Sequence, residues 1–198
     1  ITHNRLDYTK DCLRALSEHT SDPYTMTVVV DNASTDGTCE WLQSLEAKAL
    51  YDHVIFNRFN RYPGAACNRG WAYGIERFAR SNITHLCRID NDCLVHPGWG
   101  EHVERVFDAF PNLGQFGLIE MSDATEFPYV EEVGSDGESV INTGPTNIGG
   151  PNVITKKLWD DGLRYSEIPW QNFGGPTTQE DVRLSLDVKA MGMKFGNT

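Results

Sequence analysis

Thr84-His85-Leu86-Cys87-Arg88-Ile89-Asp90-Asn91-Asp92-Cys93-Leu94-Val95-His96-Pro97 is the stretch whose reading decides the fold. Its first half reads as a short strand closed by two carboxylates spaced i, i+2. Pro97, Gly98 and a helical pattern follow. Side chains two apart on an extended segment point the same way. Asp90 and Asp92 are therefore expected to converge at the carboxyl end of a strand, where open α/β sheets bind ligands. Two hard oxygen donors in that place suit Mg²⁺ or Mn²⁺ carrying a phosphate. The competing reading is local, because acids commonly end strands as turn formers or helix caps. Arg88 shares the expected strand face with both and reads as a partner for a carboxylate.

Upstream, strands and helices alternate. The chain opens at Ile1-Thr2-His3-Asn4-Arg5 with no initiator Met and no apolar run before it, and is expected to begin inside a strand. Asp7 or Thr9 is placed to cap a helix carrying Tyr8, Cys12, Leu13 and Leu16 on one side. Thr25 to Val30 reads as a strand buried in a parallel sheet, from its continuous β-branched run. Asp31 stands at its carboxyl end. A helix over about 38–49 is expected to turn Trp41, Leu42 and Leu45 inward. A short strand, Val54-Ile55-Phe56, comes next, followed by a polar loop with Arg58, Arg61, Tyr62 and Pro63. The helix expected over about 65–80 points Ala66, Trp71, Ile75 and Phe78 to the core. Strand–helix alternation of this kind predicts a doubly wound, mainly parallel sheet. Neither Gly-x-Gly-x-x-Gly nor Gly-x-x-x-x-Gly-Lys-Ser/Thr occurs, so the common dinucleotide and P-loop sites are unsupported.

Downstream, residues 98–110 read as a helix with Val103, Val106, Phe107 and Phe110 inward, and 116–119 as a strand. Residues 122–146 read as irregular, with a hairpin around Ser135-Asp136-Gly137. A strand over 147–154 and a short helix over 156–161 follow. Residues 170–178, rich in Gly and aromatics, read as a loop. From 180 to 191 the periodicity is that of a strand, with Val182, Leu184, Leu186, Val188 and Ala190 alternating with polar residues.

The 198 residues suit one domain or one two-lobed domain, and 39% hydrophobic content is enough for a core. The formal net charge of -11 argues against nucleic acid or an anionic membrane as partner. Five cysteines, all single and none in Cys-x-x-Cys, read as reduced and mostly buried. No run is long and apolar enough to span a membrane. The expected setting is cytoplasmic, with peripheral membrane association left open.

The landmarks, taken in order, resemble the family 2 glycosyltransferases of the GT-A fold. Thr2-His3-Asn4-Arg5 resembles the family's Pro-Thr-Tyr-Asn-Arg segment. Val29-Val30-Asp31-Asn32-Ala33-Ser34-Thr35-Asp36-Gly37-Thr38 is similar to its second-strand motif, and Gly64, Asn68 and Gly70 to its Gly-x-x-x-Asn-x-Gly helix. Ile89-Asp90-Asn91-Asp92 is similar to the metal-binding Asp-x-Asp, and Pro97-Gly98-Trp99 to the start of the following helix. Gln179-Glu180-Asp181-Val182 resembles a Glu-Asp motif opening a helix, so the resemblance implies a helix over 180–191 against the periodicity. Two departures stand out. Ile1 sits where the family often has Pro, and the chain stops at Phe195-Gly196-Asn197-Thr198, before a segment where many members place a further His or a membrane element. The first strand and the C-terminus are thus expected to be truncated.

The resemblance implies an α/β GT-A domain over 1–198, with a Rossmann-like, mainly parallel central sheet flanked by helices and a small acceptor-side subdomain. Residues 1–97 would form the nucleotide-sugar half and 98–198 the acceptor half. It implies inverting transfer of a sugar from a nucleotide-diphosphate donor, UDP foremost with GDP or dTDP as runners-up, to a hydroxyl on a saccharide, lipid-linked or protein acceptor. Asp92 would ligate Mn²⁺ or Mg²⁺, with Asp90 on the metal or the ribose. Asp31 would accept from the uracil imide, and Thr2 and Asn4 would line the pocket. Arg58, Arg61 and Arg69 are candidate phosphate neighbours. Asp181, with Glu180 beside it, would be the general base; the plainer reading makes both acids N-terminal helix residues favoured by the dipole. His3, His85, His96 and His102 read as structural. Trp170 and Phe173 are candidates to stack on an acceptor sugar or to pack a lid.

Two rivals stay open. A sugar-1-phosphate nucleotidyltransferase would share sheet, metal and nucleotide, but would be expected to carry a Gly-rich basic loop where Thr2-His3-Asn4-Arg5-Leu6-Asp7 stands. A non-catalytic nucleotide-sugar-binding module would not need the set Asp31, Asp90, Asp92, Glu180 and Asp181.

Overall fold

The β-branched run near residue 28 forms β1 (Val28–Asp31), and alternation along it decides the layers around it. The computed structural model describes residues 1–20, 23, 25–79, 82–118, 130–143, 148–167 and 180–197. They form two compact units, Ile1–Asn82 with Ile89–Gly100, and Ile83–Arg88 with Glu101–Thr198.

In the first unit, β1 pairs in parallel with β2 (His53–Phe56), and Thr2 adds a parallel bridge to Asp31. Val29 points into a cluster with Cys12, Leu13 and Leu16 of α1 (Leu6–His19), Leu42 of α2 (Thr38–Leu42) and Val95. Val30 points the other way, onto Ile55 and Ala66 of α4 (Tyr62–Arg77). Helices thus cover both faces of a parallel pair, the doubly wound arrangement expected. Gly70 shows how tightly α4 sits, because a Cβ there would lie 2.9 Å from Val30 Cγ2.

Three local expectations in this unit change. The helix expected over 38–49 is two helices, α2 and α3 (Leu45–Lys48), because Ser44 is extended and its side chain accepts from Ala47 N–H at 3.2 Å, starting a new helix. That break leaves Leu45 at 88% exposure, while Leu42 is fully buried. The cap of α1 comes from neither Asp7 nor Thr9. Asp36 accepts from Leu6 N–H through Oδ2 and from Thr38 N–H and O–H through Oδ1, so one carboxylate starts both α1 and α2. Burial tends to raise its carboxyl, but these bonds outweigh it and hold Asp36 below the ordinary range.

The second unit is a six-stranded sheet. Its members are β3 (His85–Arg88), β4 (Leu113–Gly117), β5 (Val130–Val133), β6 (Val140–Thr143), β7 (Asn152–Thr155) and β8 (Lys194–Asn197), in the order β3-β7-β4-β8-β6-β5. Among the described residues, β4 and β8 run parallel and the other pairs are antiparallel. Pairing is therefore mixed here, since short returns such as the β5–β6 hairpin at Ser135–Gly137 can join only antiparallel neighbours. α5 (Trp99–Ala109) buries Val103, Val106 and Phe107, as its pattern predicts. The Phe107 ring packs on His85 at 4.5 Å and Phe116 at 6.4 Å, and His102 packs on Phe116 at 5.7 Å. Burial lowers the pKa of both histidines. α6 (Lys156–Asp160) and α7 (Glu180–Ala190) complete the unit. Residues 180–190 are thus a helix, and Leu184 and Val188, one turn apart, are fully buried. The expected loop 170–178, with Trp170 and Phe173, lies outside the described residues, as do Ile119 and Gln179.

None of the five cysteines is in a disulfide; Cys12 and Cys67 are buried and the others partly so. Among the described residues, no helix is long and apolar enough to cross a membrane.

Candidate active site

In the first unit the polar residues gather on the loops that follow the parallel strands. Asp31 is the centre. It is fully buried, and its Oδ2 accepts from Ser34 N–H at 3.1 Å and from the Cys39 thiol at 3.0 Å. Burial first, then the bond to Asp31, pushes the Cys39 thiol up to about 11, so it stays a neutral donor. The other oxygen, Oδ1, is buried without a hydrogen-bond partner. Buried acceptors are almost always satisfied, so this one is an unused acceptor at the carboxyl end of a strand.

Asn32, which sequence reading passed over, orders the next loop. Its Oδ1 accepts from Asn57 Nδ2 and from Arg61 N–H, both at 2.9 Å, and its Nδ2 donates to Asn60 at 2.9 Å. Arg69 is exposed and donates to Asn57 Oδ1; Arg58 and Arg61 are exposed.

Thr2 and Asn4, the residues expected to line the pocket, are held by hydrogen bonds within this unit. Thr2 is 2% exposed, and its hydroxyl shares a 2.8 Å hydrogen bond with Thr9. Asn4 receives Thr35 N–H on its Oδ1 at 2.7 Å, while its own N–H donates to Ser34 at 2.7 Å. Asn91, the middle residue of Asp90-Asn91-Asp92, ties these pieces together. Its Nδ2 donates to Thr2 Oγ1 at 3.2 Å, to Asn4 O at 3.0 Å and to Thr9 Oγ1 at 3.0 Å. An amide fixed by three acceptors is a positional device that the acidic pattern around it concealed.

Asp90 and Asp92 are not on a strand. β3 stops at Arg88, where its register with β7 ends opposite Asn152. Residues 90–93 turn instead, with Cys93 N–H donating to Asp90 O at 3.1 Å. The i, i+2 argument from extended geometry therefore does not apply, and the turn places the two acids. Their charge is felt locally. Burial, then Asp90 and Asp92, pushes the Cys93 thiol up to about 11. Asp90 is partly buried; Asp92 is exposed and ion-paired with Arg5 at 2.5 Å. Backbone strain collects on the same loops. Among the described residues, the non-glycine positive-φ positions are Asn4, Arg5, Ala33 and Tyr62, each following a strand or bridge of this unit.

Among the described residues, no three His, Cys, Asp or Glu side chains cluster to hold a metal by themselves. Mg²⁺ and Mn²⁺ sites built from one or two carboxylates and substrate phosphates need no such cage. The ion pair of Arg5 with Asp92 shows that the turn already attracts a cation, so the donor chemistry fits.

In the second unit, Glu180 and Asp181 open α7 and are 15% and 13% exposed. Arg88, 4% exposed, donates through Nη1 to Asp181 Oδ1 at 2.8 Å and reaches Glu180 Oε1 at 3.5 Å. The carboxylates that Arg88 meets here open a helix more than ninety positions away in the chain.

The model of the family "Glycosyl transferase family 2" matches residues 1–154. The chain belongs to glycosyl transferase family 2. The match includes Asp31, Asp90 and Asp92 and stops short of Glu180 and Asp181. No curated protein matches the chain. Among solved structures, the chain is similar to the mannosyltransferase PcManGT from Pyrobaculum calidifontis in complex with GDP-Man and Mn²⁺. That alignment has a TM-score of 0.68 and 15% identity, and covers 100% of this chain and 54% of that one. It is also similar to S. aureus TarS 1-349, with a TM-score of 0.66 and 14% identity, covering 100% and 56%. The TarS 1-349 complex with UDP-GlcNAc aligns with a TM-score of 0.64 and 14% identity, covering 100% and 54%. The fold of this family 2 chain is therefore GT-A. It spans little more than half the length of these structures.

Proposed function

We propose that this chain transfers a sugar from a nucleotide-diphosphate donor, UDP foremost, to an acceptor hydroxyl with inversion. The observation that carries the reading is Asp31, a buried carboxylate with one oxygen holding its own turn and the other without a donor. A nucleobase imide N–H supplies the missing donor, and a hydrogen bond to a charged group of this kind is worth about 1.5–3 kcal/mol. Because Asp31 is fully buried, a base reaches it only as its cover shifts. Guanine and thymine N–H groups offer the same chemistry, which keeps GDP and dTDP donors in the test.

Asp92, with Asp90 beside it, would hold Mg²⁺ or Mn²⁺; when bound, the ion supplies Lewis-acid stabilisation of the leaving diphosphate. Arg5 gives up Asp92 as the site fills and is free for a phosphate oxygen. Arg69, Arg58 and Arg61 stand on the exposed neighbouring loop and helix. Asp181 takes the proton of the acceptor hydroxyl as the new bond forms, with Glu180 adjacent. The acceptor is a saccharide, a lipid-linked sugar or a protein side chain.

Calorimetry with UDP, GDP and dTDP, each with Mn²⁺ and with chelator, tests the donor side. The expected result is UDP binding that strengthens with metal. Ligand at 100 times its dissociation constant should add about 2.7 kcal/mol of stability. Equal affinity in metal and chelator would remove the metal from the reading. Release of pyrophosphate in place of a nucleoside diphosphate would identify a nucleotidyltransferase, and binding without turnover across a broad donor panel a binding module.

A further inference from the structure

Arg88 is a buried charge that the proposed function leaves without a task. It sits in a closed circuit. Its backbone lies opposite Asn152 in the β3–β7 register. The Asn152 side chain donates to Tyr165 Oη at 2.9 Å and accepts from it at 3.1 Å. The Tyr165 ring, in turn, lies 5.2 Å from the Arg88 guanidinium carbon. Tyr165 and Asn152 are themselves 2% and 0% exposed, so the guanidinium rests on a fixed wall. From that wall one nitrogen reaches both acids that open α7, at 2.8 Å and 3.5 Å.

Stability alone is a weak reason for this arrangement. A buried ion pair often stabilises no better than apolar residues of the same volume. The helix dipole alone would favour two acids in the first turn but would not choose their rotamers. A planar guanidinium held against the Tyr165 ring, with one nitrogen aimed at both acids, does choose them. We propose that Arg88 is a positioning residue, whose guanidinium, braced by Tyr165 and Asn152, fixes the orientation of Asp181 and Glu180 for proton transfer. This rests on the reading of that acid pair as the general-base side of the reaction.

The test is a double-mutant cycle on single-turnover transfer at saturating donor, with each rate normalised to the folded fraction from near-UV circular dichroism. Arg88→Lys keeps the charge and loses the planar group that rests on Tyr165. It is expected to slow transfer by up to about 100-fold per folded molecule, the usual cost of misplacing a reacting group. UDP affinity should be unchanged. Combined with Asp181→Asn, the loss should be well short of the product of the two single losses, because the two residues act as one unit. Tyr165→Phe loosens the same circuit without touching a charge and goes through the same cycle, so the result does not depend on Arg88→Lys folding. A wild-type rate per folded molecule in both variants overturns the proposal. So do losses that multiply fully with both Asp181→Asn and Glu180→Gln. Coupling to Glu180→Gln alone supports positioning while moving the base to Glu180. Normal turnover in both carboxylate variants removes the base reading and the positioning role with it, whereas multiplying losses remove only the latter.

Discussion

The two units hold their carboxylates by different means. In the first, Asp31, Asp36, Asp90 and Asp92 sit on loops and are placed by nearby groups: the Ser34 and Leu6 amides, the turn at Cys93 and the exposed Arg5. In the second, Glu180 and Asp181 are placed by one buried guanidinium from a distant strand. The contrast fits the two tasks proposed. A nucleotide brings its own charge, which carboxylates and arginines on exposed loops would receive. On the proposed reading, the base would have to keep one geometry through the reaction, and a buried guanidinium would supply that.

The sharpest way to break the comparison is Asp181→Asn. Loss of a positioned base costs typically ~10²–10⁴-fold in rate, and donor affinity should stay nearly unchanged because the residues proposed to hold the donor, Asp31, Asp90 and Asp92, are untouched. If Asp181 were only a helix-start acid, Asn would cap as well, about 0.3–1 kcal/mol of dipole energy would be lost, and turnover would survive. Single-turnover rates decide, since slow product release can hide a chemical defect.

Asp31→Ala comes next. It should weaken UDP binding by about 1–3 kcal/mol. It should also destabilise the fold, because Ser34 N–H loses its acceptor inside a buried turn. An affinity loss without any fall in urea midpoint would show the carboxylate to be less built into the first unit than its hydrogen bonds indicate.

Packing gives a third test. Gly70→Ala pushes a methyl against Val30 and should cost about 1–3 kcal/mol. Gly114→Ala in the second unit meets Leu158, Met193 and Val188, all at 2.8–2.9 Å, and should cost at least as much. Thermal melts that leave either variant unchanged would show that the layer concerned yields more readily than its contacts suggest.

Arg5→Ala should have the smallest effect on stability, at most about 1 kcal/mol, since both partners are largely exposed. Its value lies in Mn²⁺ affinity measured without nucleotide. Removing a cation that competes for Asp92 should raise that affinity, and an unchanged affinity would show that Arg5 does not compete for the carboxylate.

Much of this was determined by sequence alone, wherever the signal is local. The β-branched run before Asp31, the amphipathic patterns of α1 and α5 and the hairpin at Ser135–Gly137 follow from periodicity and turn chemistry within a few residues. The helix at 180–190 did not: its polar and apolar residues alternate, and burial of Leu184 and Val188 against the sheet overrides that pattern. Nor could spacing show that Asp90 and Asp92 lie on a turn, since β3 ends where its partner β7 does. Asn32, Asn91 and Asp36 gave no chemical signal because asparagine and aspartate are common in loops, and only folding shows which amides and carbonyls come within their reach. Arg88 is the clearest case. In the chain it stands two residues from Asp90 and looks like one more charge beside an acidic pair. Only the pairing of β3 with β7 and the docking of α7 bring Tyr165, Asp181 and Glu180 around it, because ion pairs form across space and leave no period in a sequence.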